Sequence, residues 1–270
     1  MVLEQFLDRK IVVKHSLFVF VLSAIYVFIA YAVQQLFFPA DQGLAVVLLV
    51  TILLVPSLHH LIIIEEKLES RGAGNFWKRH RTIIKCYLGA FLGLLAGFLT
   101  MGFILPGTLG YQQHQLSLEH LKPETITTFL GQPYTPDTTT ALALFSHNLM
   151  YLLFGFVLSI FYGAGAIFLV AYNASFFAAF VVELFARWSS AAQLTAVSFV
   201  HLLPESAGYI LTAIAGAEIS RALIHEKLSA QPFRNVLKNC FLLLAYAILL
   251  ILLAAFLEAY VTAPYFHRTI

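Results

Sequence analysis

Two stretches of this chain, Ser16 to Phe38 and Cys86 to Leu105, contain no Asp, Glu, Lys or Arg at all. An apolar run of about 20 residues wound as a helix spans the roughly 30 Å hydrocarbon core of a bilayer. In lipid only helices and closed barrels satisfy their own backbone groups. These runs are continuous rather than alternating, which excludes a barrel. A soluble domain carries about 25% charged residues, whereas this one carries 11% among 60% hydrophobic residues. The sequence therefore predicts an all-α fold: a polytopic transmembrane helical bundle of about seven spans, one of them broken or re-entrant.

The expected spans run from about Ser16 to Phe38, Leu44 to Ile64, Ile83 to Leu105, Ala141 to Ile160, Ala166 to Phe185 and Leu237 to Val261. Pro39, Asp41 and Gly43 make the first turn, and Pro56 is expected to bend the second span. Met1 to Lys14 reads as a short interfacial helix. The polar stretch 110–140 reads as an external loop or small cap. Ala191 to Leu203 is apolar but too short to cross. It ends at Pro204, and Glu205 to Ile219 forms another apolar segment, so a re-entrant element is expected over 191–205. Three units follow: 1–74 as an interfacial segment with a two-span hairpin, 75–263 as the main membrane domain, and 264–270 as a short tail.

Charge supports that reading. Arg9, Lys10 and Lys14 precede the first span, while Lys67, Arg71, Lys78, Arg79, Arg81 and Lys85 follow the second. Arg221, Lys227, Arg234 and Lys238 precede the last. Positive residues stay cytoplasmic, which places the N-terminus inside and the C-terminus outside a plasma membrane. Taken as two full crossings, the segments either side of Pro204 would put the Arg221–Lys238 loop outside, so re-entrance is preferred. No cleavable signal peptide stands out. Cys86 and Cys240 lie beside basic segments and are expected to be reduced. The basic run Lys78-Arg79-His80-Arg81 next to a span signals orientation and anionic lipid rather than nucleic acid.

Ionisable groups inside a membrane are costly and ask for a partner or a purpose. The candidates are His147, Glu183, His201 and Glu205, with Asn148 and Asn173. His201 and Glu205 stand one helical turn apart. That pairing suits a divalent metal such as zinc, with His147 as a third ligand. It suits a proton relay or general acid/base equally, and a hydrogen-bonded structural fastening as well. Glu183 with Arg187, and Glu218 with Arg221, read as interfacial pairs, and His59 and His60 as surface-seeking residues. Gly89, Gly93 and Gly97 form one small-residue packing face, and Gly208, Thr212 and Gly216 another. Phosphate-binding glycine loops, a GxSxG nucleophile and an HExxH zinc motif are absent.

The second half resembles the stage II sporulation protein M family. The residues that carry this are Phe145, Asn148, Gly155, Gly163, Gly165 and Asn173. The clearest element is His201-Leu-Leu-Pro-Glu205, followed by Ala207, Gly208, Ala215 and Gly216. Leu202 stands where the family usually has Gly, and Ala174 follows Asn173 where Gly is common. The resemblance covers about 75–260, leaving the first two spans as an added hairpin. It implies a membrane organiser without chemistry of its own, acting beside peptidoglycan-degrading partners in sporulating bacteria. Three functions follow in order: a non-enzymatic scaffold or partner subunit, a transporter-like subunit with a His201/Glu205 proton or ion site, and an intramembrane metal-dependent hydrolase. The implied partners are the lipid bilayer, other membrane or envelope proteins, and further copies of the chain.

Overall fold

The computed structural model describes residues 16–39, 43–70, 76–105, 107–119, 135–161 and 165–269; side chains at 16, 57, 59–70, 76–79 and 117–119 are not described. The expected interfacial helix at Met1–Lys14 and the side chains of His59 and His60 lie outside the described residues. The elements are α1 (Ser16–Phe37), α2 (Leu44–Ser70), α3 (Phe76–Ile104), α4 (Gly110–Glu119), α5 (Thr138–Phe161), α6 (Gly165–Arg187), α7 (Ala191–His225) and α8 (Gln231–Leu257). A π-helical turn, Glu258–Thr262, joins α8 to α9 (Ala263–Thr269). No strand occurs among the described residues.

Six of these helices are long and apolar enough to cross a membrane, with α8, the π turn and α9 forming one 39-residue rod. α2 is helical through Pro56 and carries the apolar stretch Leu44–Pro56. The residues expected to form a C-terminal tail instead extend that rod as far as Thr269.

The expected break at Pro204 does not occur. α7 runs without interruption for 35 residues, with Pro204 inside it. At 1.5 Å per residue it is about 52 Å long, longer than the hydrocarbon is thick, so it has length for a full crossing. Proline removes one helical hydrogen bond and costs about 3 kcal/mol in a helix interior. Unwinding the backbone would free several amides and carbonyls where water cannot reach them, at several kcal/mol each. Packing also opposes a break: Leu202, Ser206, Gly208 and Tyr209 are all buried around Pro204.

One continuous core holds the bundle. Val19 and Val27 of α1, Val50 and Leu54 of α2, and Leu94 and Phe98 of α3 join Ile167 of α6, Ile214 of α7 and Ile251 of α8. Lipid tails are as apolar as leucine, so such helices associate through close packing rather than hydrophobic exclusion. Small residues therefore sit at the crossings. A Cβ on Gly93 would overlap the Phe20 carbonyl oxygen of α1, and one on Gly97 would come 2.9 Å from Val27. Gly208 faces Ile251 and Ala247 of α8, Gly216 faces Ser159 and Phe156 of α5, and Gly89 is buried. The glycines whose surroundings are described thus serve contacts within one chain.

The stretch expected to be an external loop begins as structure. Leu109 is buried, and the Gln112 Nε2 of α4 donates to Ser175 Oγ of α6 at 3.1 Å. Gly43, at φ +125°, lets the α1–α2 turn pass under it, since a Cβ there would lie 2.6 Å from the Thr108 carbonyl oxygen.

Replacing Gly93 by Ala forces backbone apart, because its obstacle is a carbonyl, whereas the closest obstacle at Gly208 is the Ile251 side chain. Gly93→Ala is expected to cost about 1–3 kcal/mol and Gly208→Ala less, read as unfolding midpoints of detergent-purified protein.

Candidate functional site

α7 and the C-terminal rod are joined by a short turn and run antiparallel. Their register can be followed along the pair. Glu218 meets Cys240 near the turn, Gly208 meets Ile251 further on, and His201 meets Thr262. His201 Nδ1 lies 2.9 Å from Thr262 Oγ1, with both residues buried. In an antiparallel pair, one turn inward on α7 faces one turn back on the rod. That brings Glu205 opposite Glu258.

The electrostatic neighbours agree with this register. Glu205 shares a hydrogen bond with Tyr209 one turn on, and Glu258 acts on both. Tyr151 of α5 is also within electrostatic reach of Tyr209. The π turn is what presents the rod's two residues. The Ala263 N–H donates to the Glu258 carbonyl, five residues back, where an α-helix would use four. Single π turns are rare and recur at functional sites.

The rest of the surroundings fix the location. Asp137 opens α5 by accepting from the Thr139 and Thr140 N–H groups. A hydrogen bond from the Thr139 side chain, with those from the two N–H groups, holds its carboxyl below the usual carboxylate range. Next to it, Thr138 Oγ1 is 3.1 Å from Tyr260 Oη in the π turn. Leu184, Trp188, Leu194, Tyr265 and Phe266 pack at this end as a separate apolar cluster. The polar junction thus lies at the end of the bundle where α5 begins and α6 ends, away from Arg81 and Lys238.

His201 and Glu205 stand one turn apart on α7, with Thr262 beside the first and Tyr209 beside the second. Asn173 turns back on its own helix, donating to the Leu169 carbonyl oxygen at 2.8 Å. His147 is exposed, its ring edge against Tyr151 at 4.9 Å, and Asn148 is half-buried beside it in sequence. Among the described residues no three His, Cys, Asp or Glu side chains group so as to hold a metal ion. His147, His201 and Glu205 are not brought into such a group. Glu183 and Arg187 form the expected ion pair. Glu218, read from sequence as interfacial, is wholly buried.

Sequence reasoning missed Glu258 and Thr262. The signal was present, since Glu258 is an acid inside the last apolar run and such residues need an explanation. The missing step was the antiparallel register that sets it against Glu205.

The helices and the buried polar junction define a polytopic helical membrane protein with ionisable groups held between two of its helices. The family model described as Stage II sporulation protein M matches residues 16–263, and the chain belongs to that family. The match takes in α1 and α2 as well as the region from residue 75 onward. No curated protein and no solved structure matches the chain.

Thr262→Val removes the partner of His201 Nδ1 and leaves a buried imidazole nitrogen short of a bond. A loss of about 1–3 kcal/mol is expected, with Thr262→Ser close to wild type, measured by thermal unfolding in detergent.

Proposed function

We propose that this chain is a non-enzymatic subunit or scaffold of an assembly in a bacterial or archaeal envelope, set in the plasma membrane by seven crossings. The observation that carries the reading is the family match across 16–263, with one core drawn from every long helix, α5 contributing Leu152 and packing Phe145, Leu149 and Phe156 against it. Its support is the family's association with membrane organisation rather than catalysis.

Orientation follows from the continuous α7. With the N-terminus in the cytoplasm, one crossing by α7 returns Arg221, Lys227, Arg234 and Lys238 to the side that holds Arg81 and Lys85, as the positive-inside rule requires. The α6–α7 turn at Ser189 and the C-terminus then face outward. In intact cells an impermeant maleimide should label Ser189→Cys and leave Ser229→Cys untouched; the reverse pattern would invert the topology. Chemical cross-linking in native membranes should yield a discrete larger species containing this chain and a different protein. Recovery of the chain alone, or only bound to itself, would count against the scaffold reading.

A second reading has its own support in the π turn. Glu205, Tyr209 and Glu258 at one junction suit a proton or cation site of a transporter-like subunit. In proteoliposomes, proton flux lost in both Glu205→Gln and Glu258→Gln would favour it over the scaffold.

A further inference from the structure

A second polar cluster lies at the other end of α7, about 20 Å from Glu205 by helical rise. Glu218 is wholly buried, and so is His80 of α3. His80 Nε2 stands 3.9 Å from Glu218 Oε2, and the Cys240 thiol of α8 donates to that same oxygen at 3.6 Å. Tyr87, two turns along α3 from His80, is fully buried within electrostatic reach of Glu218, and Cys86 beside it is buried too. Three helices thus meet around a single carboxylate.

Other polar groups stand near this point among the described residues. Arg221 is half-buried one turn further along α7, and Asn239 of α8 is buried next to Cys240. α1 and α5 contain no Asp, Glu, Lys or Arg, and the charged residues of α6 are Glu183 and Arg187 at its far end. Side chains at His59, His60, Glu65 and Glu66 of α2 lie outside the described residues.

A buried carboxylate and a buried imidazole are compatible with each other in two forms, imidazolium with carboxylate or imidazole with carboxylic acid. Both forms hold one proton and carry no net charge. Losing that proton leaves the pair with a net negative charge in a buried setting, and gaining a second leaves it net positive. We propose that His80 and Glu218 form a one-proton latch that binds α3 to α7 and α8 and loosens when the pair gains or loses a proton. The latch sits at the end of the bundle that carries Arg81, Lys85 and Lys238, where it answers to pH on that side alone. It is separate from the His201–Glu258 junction and does not depend on the function proposed for the chain.

The test compares unfolding of the full chain in mixed micelles as a function of pH for wild type, His80→Gln, Glu218→Gln and the double variant. At neutral pH His80→Gln should lower the folded-to-unfolded ratio by about a hundredfold or more, because it leaves the carboxyl buried without its partner, whereas Glu218→Gln leaves an imidazole already neutral at that pH and should cost less. The double variant has no charge to strand and should recover at least about tenfold over the weaker single. Wild-type stability should peak between about pH 4.3 and 6.5, because the folded pair keeps one proton while the unfolded glutamate and histidine hold more below that window and fewer above it, and that peak should be absent from the double variant. A double variant that keeps the wild-type pH profile overturns the proposal whatever its stability. Should it fail to fold, alkylation of Cys240 in Cys86→Ala protein decides the matter. Its rate, normalised to the thiol of the unfolded chain, should be lowest inside the same window and rise on either side; a flat or monotonic rate overturns the latch.

Discussion

A backbone amide or carbonyl without a partner costs several kcal/mol in hydrocarbon, and that cost keeps α7 whole. Proline at 204 asks the helix to break and the surroundings forbid it. The sum favours one lost hydrogen bond over several unsatisfied groups. Because α7 stays continuous, its two ends stand about 50 Å apart, and two polar clusters form on one rod instead of collapsing into a single midplane site. Every other long helix is placed with reference to it, directly or through a neighbour.

Close approach then decides which side chains meet. Gly208 and Gly216 let α8 and α5 come against α7, and Gly93 and Gly97 do the same for α1 against α3. With those crossings fixed, the antiparallel register of α7 and the C-terminal rod is fixed too. Thr262 is delivered to His201, and Cys240 to Glu218. The π turn adjusts that register where α8 would otherwise continue as a regular helix. Polar chemistry here is a consequence of packing geometry: Gly208 stands three residues from Glu205 and Gly216 two from Glu218.

The membrane class and nearly all helix positions are legible in the apolar runs, because burial in lipid leaves the backbone few alternatives. The boundaries of α3 and α6 extend a few residues past the apolar windows, since helices continue into the interface with their charged ends. Pro204 misled: proline as a helix breaker holds in water, but here solvent is missing and the neighbours are packed. Splitting α7 at Pro204 called for re-entrance to keep the basic loop at Arg221–Lys238 cytoplasmic, and an unbroken α7 removes the reason for it. His201 and Glu205 were legible because one turn separates them within one helix. Glu258, Thr262 and the His80–Glu218 pair were not, since each depends on a register between helices far apart in sequence.

Continuity of α7 is the claim on which the rest stands, and a distance measures it directly. Spin labels at Gln193→Cys and His225→Cys, both exposed positions, would be placed in a chain with Cys86 and Cys240 changed to Ala and reconstituted in lipid. Pulsed electron paramagnetic resonance should then give a narrow distribution centred at about 48 Å, the rise of 32 residues of α-helix. A distribution centred below about 30 Å would mean that the segment turns back within the membrane, and would contradict the account.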